Sequence, residues 1–343
     1  MKNPFSAMQK ATRLARRGRP LSAALLLQKA LLPSAPASPK RKAAPRKSGT
    51  SRPPRPQPGS VVEDQYSCAQ GRVRYRLYTP VGSARRRMPL IVMLHGCTQN
   101  AFDFATGTAM DRVADELGFC VLYPEQSPAA NPNRCWNWHR PANQKRGGGE
   151  AAVIAGLTRH AADLCRANPD RIYIAGLSAG GAAAAIIGAA YPTLYAAVGV
   201  HSGVPLGTIS SVSDALAAMR GQATPPVGRT PAPPPMILFH GDQDRVVHPS
   251  NAAAFVTRLR QSSRLPLIAV SRPGEAPGGR AYTRTLYHRA GGPVLLEEWT
   301  VHGSGHAWSG GHAPGSHVDP KGPDASRAMA DFFLARRRQS PPR

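Results

Sequence analysis

Acidic side chains are scarce: 19 Asp and Glu stand against 44 Lys and Arg in 343 residues, a formal net charge of +25. No acidic residue falls between Met1 and Ser60, a segment with 14 basic ones, which leaves 30 basic and 19 acidic residues for the remainder. More than half of the excess charge therefore sits on a tail that need not belong to a folded domain. Such a field attracts polyanions without selecting among them. Non-specific polyanion contact by the tail is the expectation. A specific nucleic-acid partner is not, because no basic-aromatic recognition module accompanies the charge. No run of 18 apolar residues occurs, so no transmembrane helix is expected. The apolar stretch "LSAALLLQKALLPSAPAS" from Leu21 is interrupted by Gln28 and Lys29 and follows a long basic lead. It reads better as an amphipathic helix than as a cleavable signal. Five cysteines are too few for a disulfide framework at this length, and none forms a CxxC pair, which argues against a zinc site. "RGGGE" at Arg146 lacks the Lys-Ser/Thr ending of a phosphate loop and follows no strand, so Glu150 is expected to cap a helix instead. Nothing in the sequence asks for a metal or a cofactor.

What is present is an alternation of strand-like and helix-like segments. Residues 1–60 read as a basic helix followed by a disordered Pro-rich linker, and residues 61–343 as one folded domain. "GRVRYRLYTP" alternates like a strand. "PLIVMLHG", "FCVLYP", "RIYIA", "AAVGVHSG" and "MILFHGDQD" are short, continuously apolar runs that end in turn residues, as strands buried on both faces do. Between them lie helix-like stretches: "FDFATGTAMDRVADELG" as one helix ending at Gly118, "GEAAVIAGLTRHAADLCRANP", Ala179 to Tyr191, and "SNAAAFVTRLRQ". "YTRTLYH" and "VLLEEWTVHG" read as adjacent strands and "DASRAMADFFLARR" as a final helix. This order implies an α/β fold with a mostly parallel, doubly wound sheet and helices on both faces. Residues 204–235 are Pro-rich and weakly periodic, and are expected to form a loop insertion over the sheet edge.

The stretch "RIYIAGLSAGG" places Ser178 between Gly176 and Gly180, after a strand and before a helix. A serine hydroxyl needs a base to take its proton and must stand clear of its own backbone. A tight strand-to-helix turn achieves the second, and small residues two positions away on each side let strand and helix approach. The partners should follow in the order Ser, Asp, His. Of the two acids after "MILFHG", Asp244 lies further out in the loop and is the expected orienter; Asp242 suits a turn. Of the histidines near the C-terminus, His306 in a Gly/Ser loop is the expected base, while His302 still lies within strand alternation. The spacing of His302, His306, His312 and His317 fits no metal-binding template. "LHGCTQ" after an earlier strand offers a backbone amide at Cys97 which, with that of Ala179, would form an oxyanion hole, with Thr98 assisting. Trp136 and Trp308, beside these motifs, are candidate walls of the substrate site. Cys97 can pair with Cys135 in an oxidising setting.

Together, "LHGCTQ", "VLYPEQ", "CWNW", "RGGGE", "AGLSAGG", "GVHSG", "FHGDQD" and "GHAWSGG" resemble the poly(3-hydroxybutyrate) depolymerase family of esterases, within the α/β-hydrolase superfamily. The resemblance spans about residues 70 to 335. It implies a serine esterase acting through an acyl-enzyme on short-chain poly- or oligo-hydroxyalkanoates, with Ser178, Asp244 and His306 as its triad and no cofactor. It also implies an extracellular setting. Feruloyl and acetyl-xylan esterases share the same machinery, so a plant-wall ester is the alternative substrate. A protein that binds polyanions through its basic tail is the alternative of another kind.

Overall fold

The computed structural model describes residues 59–81, 87–205, 207, 209, 211–222, 233–263 and 265–338. The basic helix and Pro-rich linker expected before residue 59 lie outside the described residues, as do positions 223–232 of the expected insertion. Among the described residues no helix is long and apolar enough to cross a membrane.

A ten-stranded sheet runs through the domain in the order β1-β2-β4-β3-β5-β6-β7-β10-β9-β8. Its centre is parallel. β3 (Leu90–Leu94) lies beside β4 (Cys120–Glu125) and β5 (Ile172–Leu177), followed by β6 (Ala197–His201), β7 (Met236–Gly241) and β10 (Val294–Val301). Every residue of β3, β5, β6 and β7 is buried. That is why these strands are continuous apolar runs rather than alternating ones. Antiparallel strands flank this centre: β1 (Ser60–Cys68) and β2 (Gly71–Thr79) on one side, β8 (Ile268–Glu275) and β9 (Ala281–His288) on the other.

Helices cover both faces. α4 (Ala179–Ala190) lies so close to one face that a Cβ at Gly188 would run into Val198. On the other face α7 (Ala325–Leu334) stacks Phe333 on Tyr173 at 5.1 Å and 6°, a pairing worth about 1 kcal/mol beyond its burial. The chain order reverses between β3, which continues to β4 on one side, and β5, which continues to β6 on the other. Loops leaving the ends of β3 and β5 therefore diverge and open a crevice there.

Three elements differ from expectation. The single helix expected before Gly118 is two, α1 (Ala101–Thr108) and α2 (Met110–Leu117), broken at Ala109, which is left-handed with φ 50°. The Gly107 carbonyl accepts the amide of His312 at 2.8 Å, so a distant loop takes the acceptor that would have continued the helix. The stretch 204–235 is not only loop: α5 (Val212–Met219) forms within it, started by a capping box in which the Ser211 side chain accepts from the Asp214 amide and Asp214 from that of Ser211. Finally, β1 and β8 are edge strands whose residues are almost all exposed, so neither carries the apolar signal by which the buried strands are recognised.

Candidate active site

From Ile172 to Gly188 every residue is buried except Ser178. It stands at the junction of β5 and α4 with φ 57° and ψ −119°. A β-carbon-bearing residue in that region is strained by roughly 1–3 kcal/mol, and the surrounding packing must hold it there. Two glycines make the packing tight. A Cβ at Gly180 would collide with the Leu94 and His95 carbonyl oxygens, and one at Gly176 with Gly180. The turn thus brings the Ser178 motif against the loop after β3.

Asp244 follows β7, and His306 lies in the loop after β10. His306 Nδ1 donates to Asp244 Oδ2 at 2.7 Å, and the side chains are 9% and 0% exposed. Asp244 Oδ1 accepts the amides of Val246 and Val247, both at 2.9 Å. Burial works to raise the Asp244 pKa, but the charge and hydrogen bond of His306, with help from His240 and the Val247 amide, bring it below the ordinary carboxylate value. The two loops are joined directly: the Gln243 amide donates to the Ser304 carbonyl at 3.0 Å, and a Cβ at Gly241 would strike the Ser304 and Gly305 carbonyls. β5 adjoins β6 and β6 adjoins β7, so Ser178 and Asp244 leave the same end of nearby parallel strands. Among the described residues no hydrogen bond joins Ser178 to His306; such bonds in ligand-free sites are often long and tighten when substrate binds.

A second Asp–His pair lies beside the first. Asp242 accepts from His302 Nδ1 at 2.9 Å and from the Gly303 amide at 2.7 Å, and His302 Nε2 lies 2.9 Å from the Thr283 hydroxyl. These side chains are 34% and 43% exposed, and they tie the loop to β9. Depth separates the pairs.

The loop after β3 carries Cys97 and Thr98. Cys97 is disulfide-bonded to Cys135, 38 residues on. Closing a loop of that length restrains the unfolded chain by roughly 4 kcal/mol. Thr98, with φ 69°, donates its hydroxyl to the Cys97 carbonyl and lies 3.4 Å from His317 Nε2. The Cys97 and Ala179 amides donate to no partner among the described residues. Trp136 and Trp308 are corrections. Trp308, 1% exposed, packs against Phe104 and His201 in the core and donates its indole N–H to Ser326. Trp136, 2% exposed, donates to the His95 carbonyl at 3.1 Å. At that exposure neither ring offers a substrate a surface.

Four groups hold partners that the sequence did not assign to them. Glu150 caps nothing: its carboxylate accepts from the Asn137 amide, Asn137 Nδ2 and Gln126 Nε2. His95 Nε2 accepts the Gln126 amide at 3.0 Å, so its proton is on Nδ1, directed at the Gly96 carbonyl. His201 Nε2 accepts the Ser309 amide, leaving Nδ1 for the Ser202 hydroxyl. His317 sits by Thr98. The motifs containing these residues were visible, but the pairings between them were not.

Burial lowers the pKa of His95 to about 4 and that of His201 to about 3, so both are neutral in the folded protein. The unfolded chain binds protons at these residues below about pH 6.5, which the folded protein does not. Stability therefore falls as pH falls through that window. Moving from pH 7 to pH 5.5 should cost roughly 1 kcal/mol for each histidine. The pKa values of Asp111, Glu150 and Glu298 are raised, which has the opposite sign, but they act nearer the carboxylate range. Urea midpoints at the two pH values would check this; equal midpoints would refute it.

Residues 73–276 match the family described as esterase PHB depolymerase. Poly(3-hydroxyalkanoate) depolymerase C of Paucimonas lemoignei is 30% identical over 251 residues, covering 68% of this chain and 56% of its own length. Feruloyl esterase B of Neurospora crassa is 29% identical over 231 residues, 62% of this chain and 77% of its own. The chain thus spans little more than half of the depolymerase it resembles. Among solved structures, an acetyl xylan esterase from Aspergillus awamori superposes with a TM-score of 0.63 at 19% identity, over 80% of this chain and 99% of that one. That likeness is one of fold, the α/β-hydrolase arrangement.

Proposed function

Because the chain belongs to the esterase PHB depolymerase family, we propose that it is a serine hydrolase of carboxylic esters, acting on short-chain poly- or oligo-hydroxyalkanoates. The observation that carries this reading is Ser178 itself, the one open residue in a buried run, held at positive φ where strand meets helix.

In this reading His306 Nε2 takes the hydroxyl proton as Ser178 Oγ attacks the ester carbonyl. Asp244 holds Nδ1–H, which fixes the tautomer and stabilises the imidazolium that forms. The Cys97 and Ala179 amides receive the oxyanion, aided by the positive end of α4. His306 then returns the proton to the leaving alcohol, and water releases the acyl group by the same steps in reverse. The Cys97–Cys135 disulfide suits an oxidising compartment, as secretion would provide.

Relatives named feruloyl esterase and acetylxylan esterase match at 29% and 31% identity, close to the depolymerase, which keeps a plant-wall ester as the second reading. A fluorophosphonate probe and a p-nitrophenyl ester series test the chemistry. Hydroxybutyrate oligomers, methyl ferulate and acetylated xylan then test the substrate. We expect label on Ser178, fastest turnover of short acyl chains, and release of hydroxy acid from the oligomers. Faster release from ferulate or xylan would move the substrate to the plant wall. Folded protein that neither labels nor turns over any ester would overturn the assignment.

A further inference from the structure

Glu150 is a half-buried carboxylate 28 residues before Ser178 in sequence, and it is used neither as a cap nor in the proposed chemistry. Its Oε2 accepts the Asn137 amide at 2.7 Å. Its Oε1 accepts Asn137 Nδ2 at 2.6 Å and Gln126 Nε2 at 2.7 Å. Three donors fix both oxygens, and α3 (Gly149–Leu164) supplies the rigid base. A buried charge is expensive unless it is bonded in this way, and burial does raise the Glu150 pKa.

What Glu150 holds is the segment Gln126–Asn137. That segment grips the loop His95–Thr98 at four points. The Gln126 amide donates to His95 Nε2, Trp136 Nε1 to the His95 carbonyl at 3.1 Å, and the Thr98 amide to the Asn133 carbonyl at 2.6 Å; Cys135 closes the disulfide to Cys97. Gln126 Nε2 also reaches the Cys135 carbonyl at 3.2 Å. The loop so held carries the Cys97 amide.

We infer that Glu150 is a positioning residue for that amide, acting through Asn137, Gln126 and Trp136. The inference rests on the ester-hydrolase reading above, in which the Cys97 amide meets charge that develops only in the transition state. An oxyanion donor works by its placement, and losing one lowers kcat by about a hundred- to a thousandfold. A loosened donor should cost less, about ten- to a hundredfold, and should leave ground-state binding nearly unchanged.

The test compares wild type with Glu150→Gln and Trp136→Phe in the full chain under oxidising conditions. Glu150→Gln keeps the shape but turns one acceptor into a donor facing donors. Trp136→Phe keeps an aromatic ring against His95, removes the indole N–H and gives up some ring volume, so its stability is measured beside kcat. With kcat counted per fluorophosphonate-titrated site, we expect both variants to lose about ten- to a hundredfold in kcat while KM stays within about threefold. Affinity for an alkylboronic acid, which mimics the tetrahedral state, should fall in proportion to kcat. If both variants fold, retain the disulfide and keep wild-type kcat and boronate affinity, the inference is overturned. Lowered stability with unchanged kcat per site would overturn it equally, since that is a structural role alone. Should Glu150→Gln fail to fold, Trp136→Phe decides. A wild type that neither labels at Ser178 nor hydrolyses esters would instead remove the hydrolase reading, and the two failures are distinct.

Discussion

Replacing Ser178 with alanine should remove ester turnover by about four to six orders of magnitude while leaving the protein folded. The loss is large because the residues of the proposed triad would act as a unit, and without Oγ there is nothing for His306 to activate. The fold survives for reasons local to the site. Ser178 is not fully buried, so deleting its oxygen opens no core cavity. Its side chain caps nothing in α4. Alanine bears the same Cβ as serine, so the strain at φ 57° neither grows nor relaxes. The measurement is kcat/KM on a short-chain p-nitrophenyl ester beside a urea midpoint. Full turnover in the variant would end the serine-hydrolase reading, whereas lost turnover with lost folding would leave the chemistry to be judged by probe labelling.

The second large effect separates two neighbouring acids. Asp244→Asn should lower kcat by about ten-thousandfold, and Asp242→Asn should change it little. Both carboxylates hold a histidine Nδ1, at 2.7 and 2.9 Å, so the short distance alone does not choose between them. Their surroundings do. Asp244 is fully enclosed, receives two further amides, and stabilises its partner in a site with little water. An amide there can present its NH2 to His306 and force the wrong tautomer, which cannot accept the serine proton. Asp242 and His302 are open to solvent, where such a pair is worth about 0–1 kcal/mol. Equal losses at the two positions, measured as kcat on the same ester, would refute the pairing.

Much of this was readable before any coordinates. The parallel strands announced themselves because a strand buried on both faces can hold only apolar residues. The turn at Ser178 announced itself because its geometry tolerates only small neighbours at positions 176 and 180. The order Ser178, Asp244, His306 follows from the order of the strands that carry them. The edge strands β1 and β8 were illegible because exposed positions accept almost any residue. The break at Ala109 was illegible because the contact made there, from the His312 amide to the Gly107 carbonyl, comes from some two hundred positions away along the chain.

By itself, then, the sequence determined the α/β order and singled out Ser178, Asp244 and His306 as the candidate triad, since each of those depends on local periodicity or on a steric demand within a few residues. Tertiary structure alone decided three other matters. It sent Trp136 and Trp308 inward rather than to the cleft, it gave Glu150 to the loop before it rather than to its own helix, and it set Asp244 deep and Asp242 shallow. Those outcomes depend on which groups meet across the fold and on how much water is left between them, and no short stretch of chain carries that information.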